Sequence, residues 1–462
     1  MQRPQITSKD GSLSENRMES EDKTGSYRMS CGEPEGKDGV SELMMEIIDS
    51  ENLNRAYQKV KANKGAAGVD DMTVEELFVY LLKHKRTLVK QIKEGTYRPQ
   101  PVKRVEIPKP DGSKRKLGIP TVCDRLVQQA ILQVINKWID PKFSDNSFGF
   151  RPNRSAHDAM KRAKGYFEEG YRYVVDIDMK QYFDTVNHDK LMYHVEEHIQ
   201  DKTVLKLIRK FLRSGVSING QIEATEIGTP QGGNLSPLLS NIYLDQLDKE
   251  LEKRGHRFVR YADDCNIYVK SQKAGERVMN SVTTFLEKSL KLTVNREKSE
   301  VGRPTKRKFL GVCIHVRKDE VGFRPHPKSL RNFKRKLRQV TSRKRSGNIR
   351  DIIKEINTIT IGWINYFGIT YMKRRIESIC QWLRRRIRQI IWKRWKKVST
   401  KYKSLMKLGV PKSKAWQWAN TRKSYWRIAG SFILSKSITN AILSKVGLKD
   451  LNQLYEKAHS NH

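Results

Sequence analysis

The stretch Arg257-Phe-Val-Arg-Tyr-Ala-Asp-Asp-Cys-Asn-Ile-Tyr-Val269 constrains the fold more than any other part of the chain. Two apolar, β-prone runs, 258–261 and 266–269, flank Ala262-Asp-Asp-Cys265. The pattern predicts a hairpin with a tight turn, a place where Asp is at home. Two adjacent carboxylates repel each other at a tip that offers no counter-charge. Taken alone, the pair reads as a solvated turn. In the company of further acids it reads as a cation site, because Mg2+ prefers one or two carboxylates plus substrate phosphates.

Further acids are present. Tyr173-Val-Val-Asp-Ile-Asp178 reads as a strand, with Asp176 and Asp178 on one face and Val175 and Ile177 on the other. Alternation does not say which Asp matters. Residues 104–120 read as a second hairpin around Pro110-Asp-Gly112. Lys109 and Arg115 sit on its opposite arms near the tip, as a basic exposed hairpin or as a clamp for a triphosphate. Gly228-Thr-Pro-Gln-Gly-Gly-Asn-Leu-Ser-Pro237 is a glycine-rich loop entering an apolar helix over 238–251, where backbone can approach an anion. His194-Val-Glu-Glu-His198 has the spelling of a zinc-protease motif but no further ligand cluster, and reads as a polar helix face.

A formal charge of +40 over 462 residues calls for a polyanionic partner. The charge is uneven: residues 321–462 hold 35 Lys and Arg against 5 Asp and Glu, a net +30. Seven of the eight Trp fall there too, and cations among aromatics suit phosphate contacts with base stacking. The five Cys form no CxxC pair, which argues against a zinc module or disulfide framework and fits a reducing compartment. No apolar run is long enough to span a bilayer.

The polar leader 1–40 reads as disordered. Helical patterns are expected from residue 40, over 53–60, 73–92, 124–139, 191–199 and 274–290, and short strands around 292–294 and 309–314. Beyond Pro327 the chain reads as helical, with Ile352, Ile353, Ile356 and Ile359 forming one apolar face. Ile376, Ile379, Leu383, Ile387 and Ile390 form another, and 415–443 reads as a last helical region.

Acids on neighbouring strands, a basic hairpin and a glycine-rich loop before a helix together suggest two-metal phosphoryl transfer. One ion would activate a primer 3′ hydroxyl and the other would steady the leaving pyrophosphate. Tyr261-Ala-Asp-Asp264, Thr229-Pro-Gln-Gly-Gly-Asn-Leu-Ser-Pro237, Asp176-Ile-Asp-Met-Lys-Gln-Tyr-Phe183, Ile107-Pro-Lys-Pro-Asp-Gly112 and Phe148-Gly-Phe-Arg-Pro152 are the motifs at issue. With Gly362-Trp-Ile-Asn-Tyr-Phe367, they give a sequence that resembles the reverse transcriptase–maturases of bacterial group II introns from about residue 45 onward.

That resemblance implies an α/β (α+β) right-hand polymerase followed by an all-helical thumb and maturase region and a small helical DNA-binding region. The implied divisions are fingers and first part of the palm over 41–255, the rest of the palm over 256–320, thumb and maturase over 321–400, and the DNA-binding part over 401–462. Asp178, Asp263 and Asp264 are the implied catalytic acids, holding two Mg2+ ions (Mn2+ as a substitute) with the Met179 carbonyl as a further ligand. Lys109 and Arg115 are implied to grip the triphosphate, and Gln231 and Gly232 to line the nucleotide and template site. Phe183, rather than its neighbour Tyr182, is implied to exclude a 2′ hydroxyl. Lys298 is implied to protonate pyrophosphate, and Phe309-Leu-Gly311 to grip the primer. The basic run Arg384, Arg385, Arg386 and Arg388, with Lys393 and Arg394, is expected to meet RNA, its cations free while the apolar face packs.

The implied function is RNA-directed DNA polymerisation joined to splicing of the intron RNA. The implied partners are that RNA, a DNA target and primer, and deoxynucleoside triphosphates, with no membrane, in a bacterial cytoplasm. The alternatives are a splicing cofactor with a vestigial polymerase and a domesticated reverse transcriptase; the intact acid triad favours the first reading. The resemblance lapses at the end, where the sequence stops at His462 without a Cys-rich H-N-H endonuclease. Second-strand cleavage in the protein's own site is therefore not expected.

Overall fold

The computed structural model describes residues 41–108, 112, 114–318 and 320–461. The expected leader and Lys109 lie outside the described residues. The chain forms two compact units that interleave along the sequence, where the sequence reading divides it linearly. The first is built from residues up to Pro141 and from His188–Leu239; the second takes Lys142–Asn187 and Ser240–His462.

In the first unit, helix Val122–Ile139 is buried on nearly every side, with Thr121 capping it by accepting from the Asp124 amide. A helix buried all round, Asp124, Gln128 and Gln129 included, must be surrounded by other elements. Helices Glu42–Ile48 and Ser50–Asn63 supply part of that cover, and Leu77–Lys93 packs on Glu42–Ile48. The buried Asn52 ties Ser50–Asn63 to the central helix by donating to the Ala130 carbonyl at 3.1 Å. The expected basic hairpin forms from strands Val102–Pro108 and Lys114–Ile119, with Ile107 opposite Arg115. It extends through Val216–Ile218 and Gln221–Glu223 into a four-stranded sheet.

In the second unit, strand Tyr173–Ile177 lies between Asp264–Val269 and Glu300–Gly302, and Arg257–Tyr261 closes the far edge, all antiparallel. Helices Ala156–Glu168 and Gln272–Lys288 pack on this sheet through alternating apolar residues such as Val174, Val259 and Ile267. A two-stranded ribbon, Val312–Arg317 with Glu320–Pro325, leads to the helical part.

Helices Pro327–Val340, Ile349–Phe367 and Lys373–Arg394 share one core, in which Phe333 stacks on Trp363 at 4.1 Å. Most of the two expected apolar faces lie inside it: Ile352, Ile353, Ile356, Ile376, Ile379, Leu383 and Ile387 are buried there, Ile359 packs against it half-buried, and Ile390 is also buried. Two expectations are revised. The last helical region is four short helices, Lys412–Ala419, Tyr425–Ala429, Phe432–Ser437 and Asn440–Lys445. Caps at Ser424 and Thr439 start new turns there, and Gly430 ends one. The strand expected at 292–294 is a single bridge, Met179 to Val294, while the ladder itself uses Glu300–Gly302.

Candidate active site and basic helical region

The acid hairpin is a two-residue turn. Tyr261 pairs with Asp264, leaving Ala262 and Asp263 at the tip, and Ala262 takes a left-handed φ of 56°. Register then places the other acids. Ile177 pairs with Cys265 and Asp176 with Asn266, so Asp178 continues its strand alongside Asp264. The bend after Asp178 is fastened at both polar groups of its peptide. The Asp178 amide bonds the Ser299 hydroxyl at 3.0 Å, and its carbonyl accepts from the Asn295 amide at 2.8 Å.

The structure separates the two acids that alternation could not. Asp176 is held by Arg307 at 2.8 Å and by the Asn266 amide at 3.2 Å, so its charge is committed within the sheet. Asp264 has an exposed side chain, yet the protein around it and then Asp263 push its carboxyl up to about 6. Asp176 and Asp178 push the same way, and Lys308 opposes them. Accumulated negative charge at one place is what a cation relieves. Among the described residues, no three His, Cys, Asp or Glu side chains converge to enclose a metal ion by themselves.

Tyr182 and Phe183 also part company. Tyr182 is 2% exposed and donates to the Ser240 carbonyl at 3.2 Å. Phe183 is half-buried and meets Tyr182 edge-on at 5.2 Å between ring centroids. Lys298 is exposed, next to the Ser299 that holds Asp178. The expected primer-grip turn has Leu310 at φ 48° and Gly311 at φ 85°. Its carbonyls are caught from the helical part, Leu310 by the Tyr366 hydroxyl at 2.9 Å and Gly311 by the Ser329 hydroxyl at 2.8 Å.

In the first unit, the glycine-rich loop lies against the basic hairpin. The Gly118 amide bonds the Gln231 carbonyl at 2.9 Å. A Cβ on Gly232 would sit 2.7 Å from the Gly118 carbonyl oxygen, so only glycine permits that approach. Asn234 and Leu235 are held by Gln129 and Gln128 of the central helix. Arg115 is exposed on its strand.

The basic run departs from expectation. Arg384 pairs with Asp450 at 2.7 Å. Arg385 donates to the Trp426 carbonyl at 2.8 Å and lies 3.9 Å above its ring. Arg386 bonds the Thr341 and Arg338 carbonyls, and Arg388 the Ile438 carbonyl at 2.9 Å. Lys393 reaches the Arg343 carbonyl at 2.9 Å, and Arg394 is half-buried. Arg384, Arg385, Arg386, Arg388 and Lys393 are therefore not free. Several terminate neighbouring helices, where unsatisfied carbonyls and the helix dipole favour positive charge. A different set, not singled out from the sequence, faces solvent: Arg331, Lys334, Arg335 and Lys336 are exposed along helix Pro327–Val340. A helix with three apolar anchors, Phe333, Leu337 and Val340, and cations elsewhere carried the signal. Arg260, Asp248, Asn241 and Arg307 were also missed, since only their long-range partners reveal them.

Comparison with known proteins gives two family matches along the chain. The profile for the reverse transcriptase (RNA-dependent DNA polymerase) family matches residues 107–314. The profile for the group II intron maturase-specific domain matches residues 330–409. The group II intron-encoded protein LtrA of Lactococcus lactis subsp. cremoris is 33% identical over 331 residues, covering 57% of this chain and 55% of that protein. Protein YkfC of Escherichia coli (strain K12) is 33% identical over 302 residues, covering 57% of this chain and 79% of that protein. The putative COX1/OXI3 intron 2 protein of Saccharomyces cerevisiae is 30% identical over 374 residues, covering 67% of this chain and 43% of that protein. The chain thus spans about half the length of the Lactococcus and yeast proteins. With polymerase and maturase-specific segments in tandem, it belongs to the family of group II intron-encoded reverse transcriptases and maturases.

Proposed function

We propose that this protein is an RNA-directed DNA polymerase that also binds its group II intron RNA, promotes its splicing and copies it into DNA during intron mobility. The observation that carries this reading is the register that sets Asp178 beside the Asp263–Asp264 turn while Asp176 is committed to Arg307. Asp178, Asp263 and Asp264, with the Met179 carbonyl, are the groups that would hold two Mg2+ ions, with Mn2+ as a substitute. When bound, such ions supply Lewis-acid stabilisation of the transferring phosphoryl group and a more acidic primer hydroxyl.

The chain's own residues do the positioning. Asn295 and Ser299 fix the peptide of Asp178. Phe183, half-buried beside the anchored Tyr182, packs where a sugar 2′ substituent would lie, and so favours deoxynucleoside triphosphates over ribonucleotides. Lys109 and Arg115 grip the triphosphate as point and forked cations. Gln231 and Gly232 line the nucleotide site, and Lys298 donates a proton to the leaving pyrophosphate. Tyr366 and Ser329 hold the primer-grip turn on which a DNA primer end rests.

The intron RNA is met by the exposed cations Arg331, Lys334, Arg335 and Lys336. Of the run expected to meet RNA, Arg384, Arg385, Arg386, Arg388 and Lys393 fasten helix Lys373–Arg394 to its neighbours, and Arg394 lies half-buried on the same helix. Residues 401–462 contact the DNA target. Among the described residues no helix is long and apolar enough to cross a membrane; the reading places the protein with nucleic acid in a bacterial cytoplasm. The test is primer extension on an RNA template in Mg2+ together with protein-assisted splicing of the intron that carries the reading frame. Absence of both activities in folded protein overturns the reading.

A further inference from the structure

Arg260 is a guanidinium with no exposure at all, in the middle of the catalytic hairpin's first strand. Its Nε donates to Asp248 at 2.8 Å, and a second nitrogen reaches the same carboxylate at 2.5 Å. Asp248 is equally buried, on helix Ser236–Lys253. The third nitrogen of Arg260 points the other way. It donates to the Asn241 side-chain oxygen at 3.1 Å and to the backbone carbonyl of Ala262 at 2.9 Å.

Ala262 is the residue in left-handed conformation immediately before Asp263, a backbone state that a Cβ disfavours. The far side of the turn is equally defined. The Asn241 amide donates to the Gly149 carbonyl at 2.9 Å. A Cβ on Gly149 would lie 2.1 Å from the Ala262 nitrogen, so the Phe148-Gly-Phe-Arg-Pro152 segment can press this close only as glycine. The Ala262 peptide is thus gripped at its carbonyl and walled at its amide.

Stability alone does not account for this arrangement. A buried ion pair can generally be exchanged for apolar side chains of similar volume without loss of stability. What no apolar pair can do is donate a hydrogen bond to the Ala262 carbonyl.

We propose that Arg260 is a positioning residue for Asp263 and Asp264. Asp248 and Asn241 aim its guanidinium, the guanidinium holds the Ala262 carbonyl, and that bond keeps the turn in the conformation that presents both acids. This rests on the reading of Asp263 and Asp264 as metal-holding acids.

The test separates positioning from folding with the paired variant Arg260→Met/Asp248→Leu, which removes both buried charges together. Its intron-RNA binding is expected to stay near the parent's, and its melting temperature to fall by only the several degrees that the unpaired Ala262 and Asn241 acceptors account for. Its kcat for primer extension is expected to fall by about tenfold or more, since small misplacements of reacting groups cost that much. The Mg2+ concentration for half-maximal rate should rise by about tenfold or more as the acids lose their common aim. A folded double variant with parental kcat and Mg2+ requirement overturns the proposal.

Should the double variant not fold, Arg260→Lys decides the matter, because it keeps the charge beside Asp248 but not the fork. Lowered kcat with a raised Mg2+ requirement supports the proposal, and parental values for both overturn it. Asp263→Asn is assayed alongside. If that variant extends primers normally, the site reading fails; if it collapses while the Arg260 variants match the parent, only the positioning role fails.

Discussion

The hydroxyl of Tyr366, in the segment matched by the maturase-specific profile, donates at 2.9 Å to the carbonyl of Leu310, in the segment matched by the polymerase profile. His157 in turn bonds the Tyr366 carbonyl at 2.7 Å, and burial pushes the Tyr366 phenol up to about 12, so it remains a donor at neutral pH. Tyr366→Phe keeps the ring and removes one hydrogen bond, worth about 1 kcal/mol net. Expected is about fivefold weaker productive binding of the primer terminus, with nucleotide KM unchanged, read from extension rates against primer–template concentration. Equal primer dependence in parent and variant would remove Tyr366 from the primer grip.

Asp263→Asn keeps the shape of the turn and removes a charge. Extension on an RNA template should fall by about 100-fold or more, as for loss of a central electrostatic group. Binding of intron RNA should persist, since the cations of helix Pro327–Val340 are untouched. Near-normal extension by the purified variant in Mg2+ sinks the assignment.

Phe183→Val opens space beside Tyr182 without disturbing the hydrogen bond between Tyr182 and Ser240. The ratio of kcat/KM for deoxynucleotides over ribonucleotides should drop, by about tenfold or more for removal of a steric barrier. An unchanged ratio places discrimination elsewhere.

Two basic sets should behave differently. Arg331, Lys334 and Arg335 changed together to Gln should weaken RNA binding and reduce its salt slope, by about 0.7–0.9 for each phosphate no longer neutralised, with melting unchanged. Arg384, Arg386 and Arg388 changed to Gln should lower the melting temperature by several degrees, because each gives up bonds worth about 1–3 kcal/mol to carbonyls or a carboxylate. The comparison is melting and RNA binding at two salt concentrations for both triple variants. If only the second triple loses RNA affinity and its melting is parental, the assignment is reversed.

The Asp264 carboxyl gives a pH dependence. Raised to about 6 from the ordinary 3.8, it favours protonation in the folded state. Its ionisation therefore costs the apo fold nothing below the ordinary value, and the cost grows as pH rises through the interval up to 6. A divalent cation offsets that cost only where the carboxylate is ionised. Mg2+ should thus raise the melting temperature at about pH 7.5 and have little effect at about pH 4.5. Equal Mg2+ stabilisation at both would separate Asp264 from the cation.

Local pattern made the hairpins legible: Arg257–Tyr261 and Asp264–Val269 form where alternation and turn chemistry place them. Helix Ala156–Glu168 was within reach, because Ser155 and Asp158 form a reciprocal cap that reads directly from sequence. Arg260 was not. Within the run Phe-Val-Arg-Tyr it looks like a polar interruption, and only the fold brings Asp248 to it. Nor could the sequence tell Arg386 from Arg331. Both are charged side chains on amphipathic helices, but one lies over the open end of another helix and the other over solvent.

The arginines that tie helix Lys373–Arg394 to its neighbours belong to a region carrying a net +30, so the groups that cross-link it also repel one another. Added salt screens that repulsion over distances of about 10 Å while leaving the half-buried bonds largely intact. Ionic strength therefore acts in opposite senses on the two states. It relaxes the free protein and loosens its grip on a polyanion, which makes the protein alone least comfortable in the dilute buffers where it holds nucleic acid most tightly.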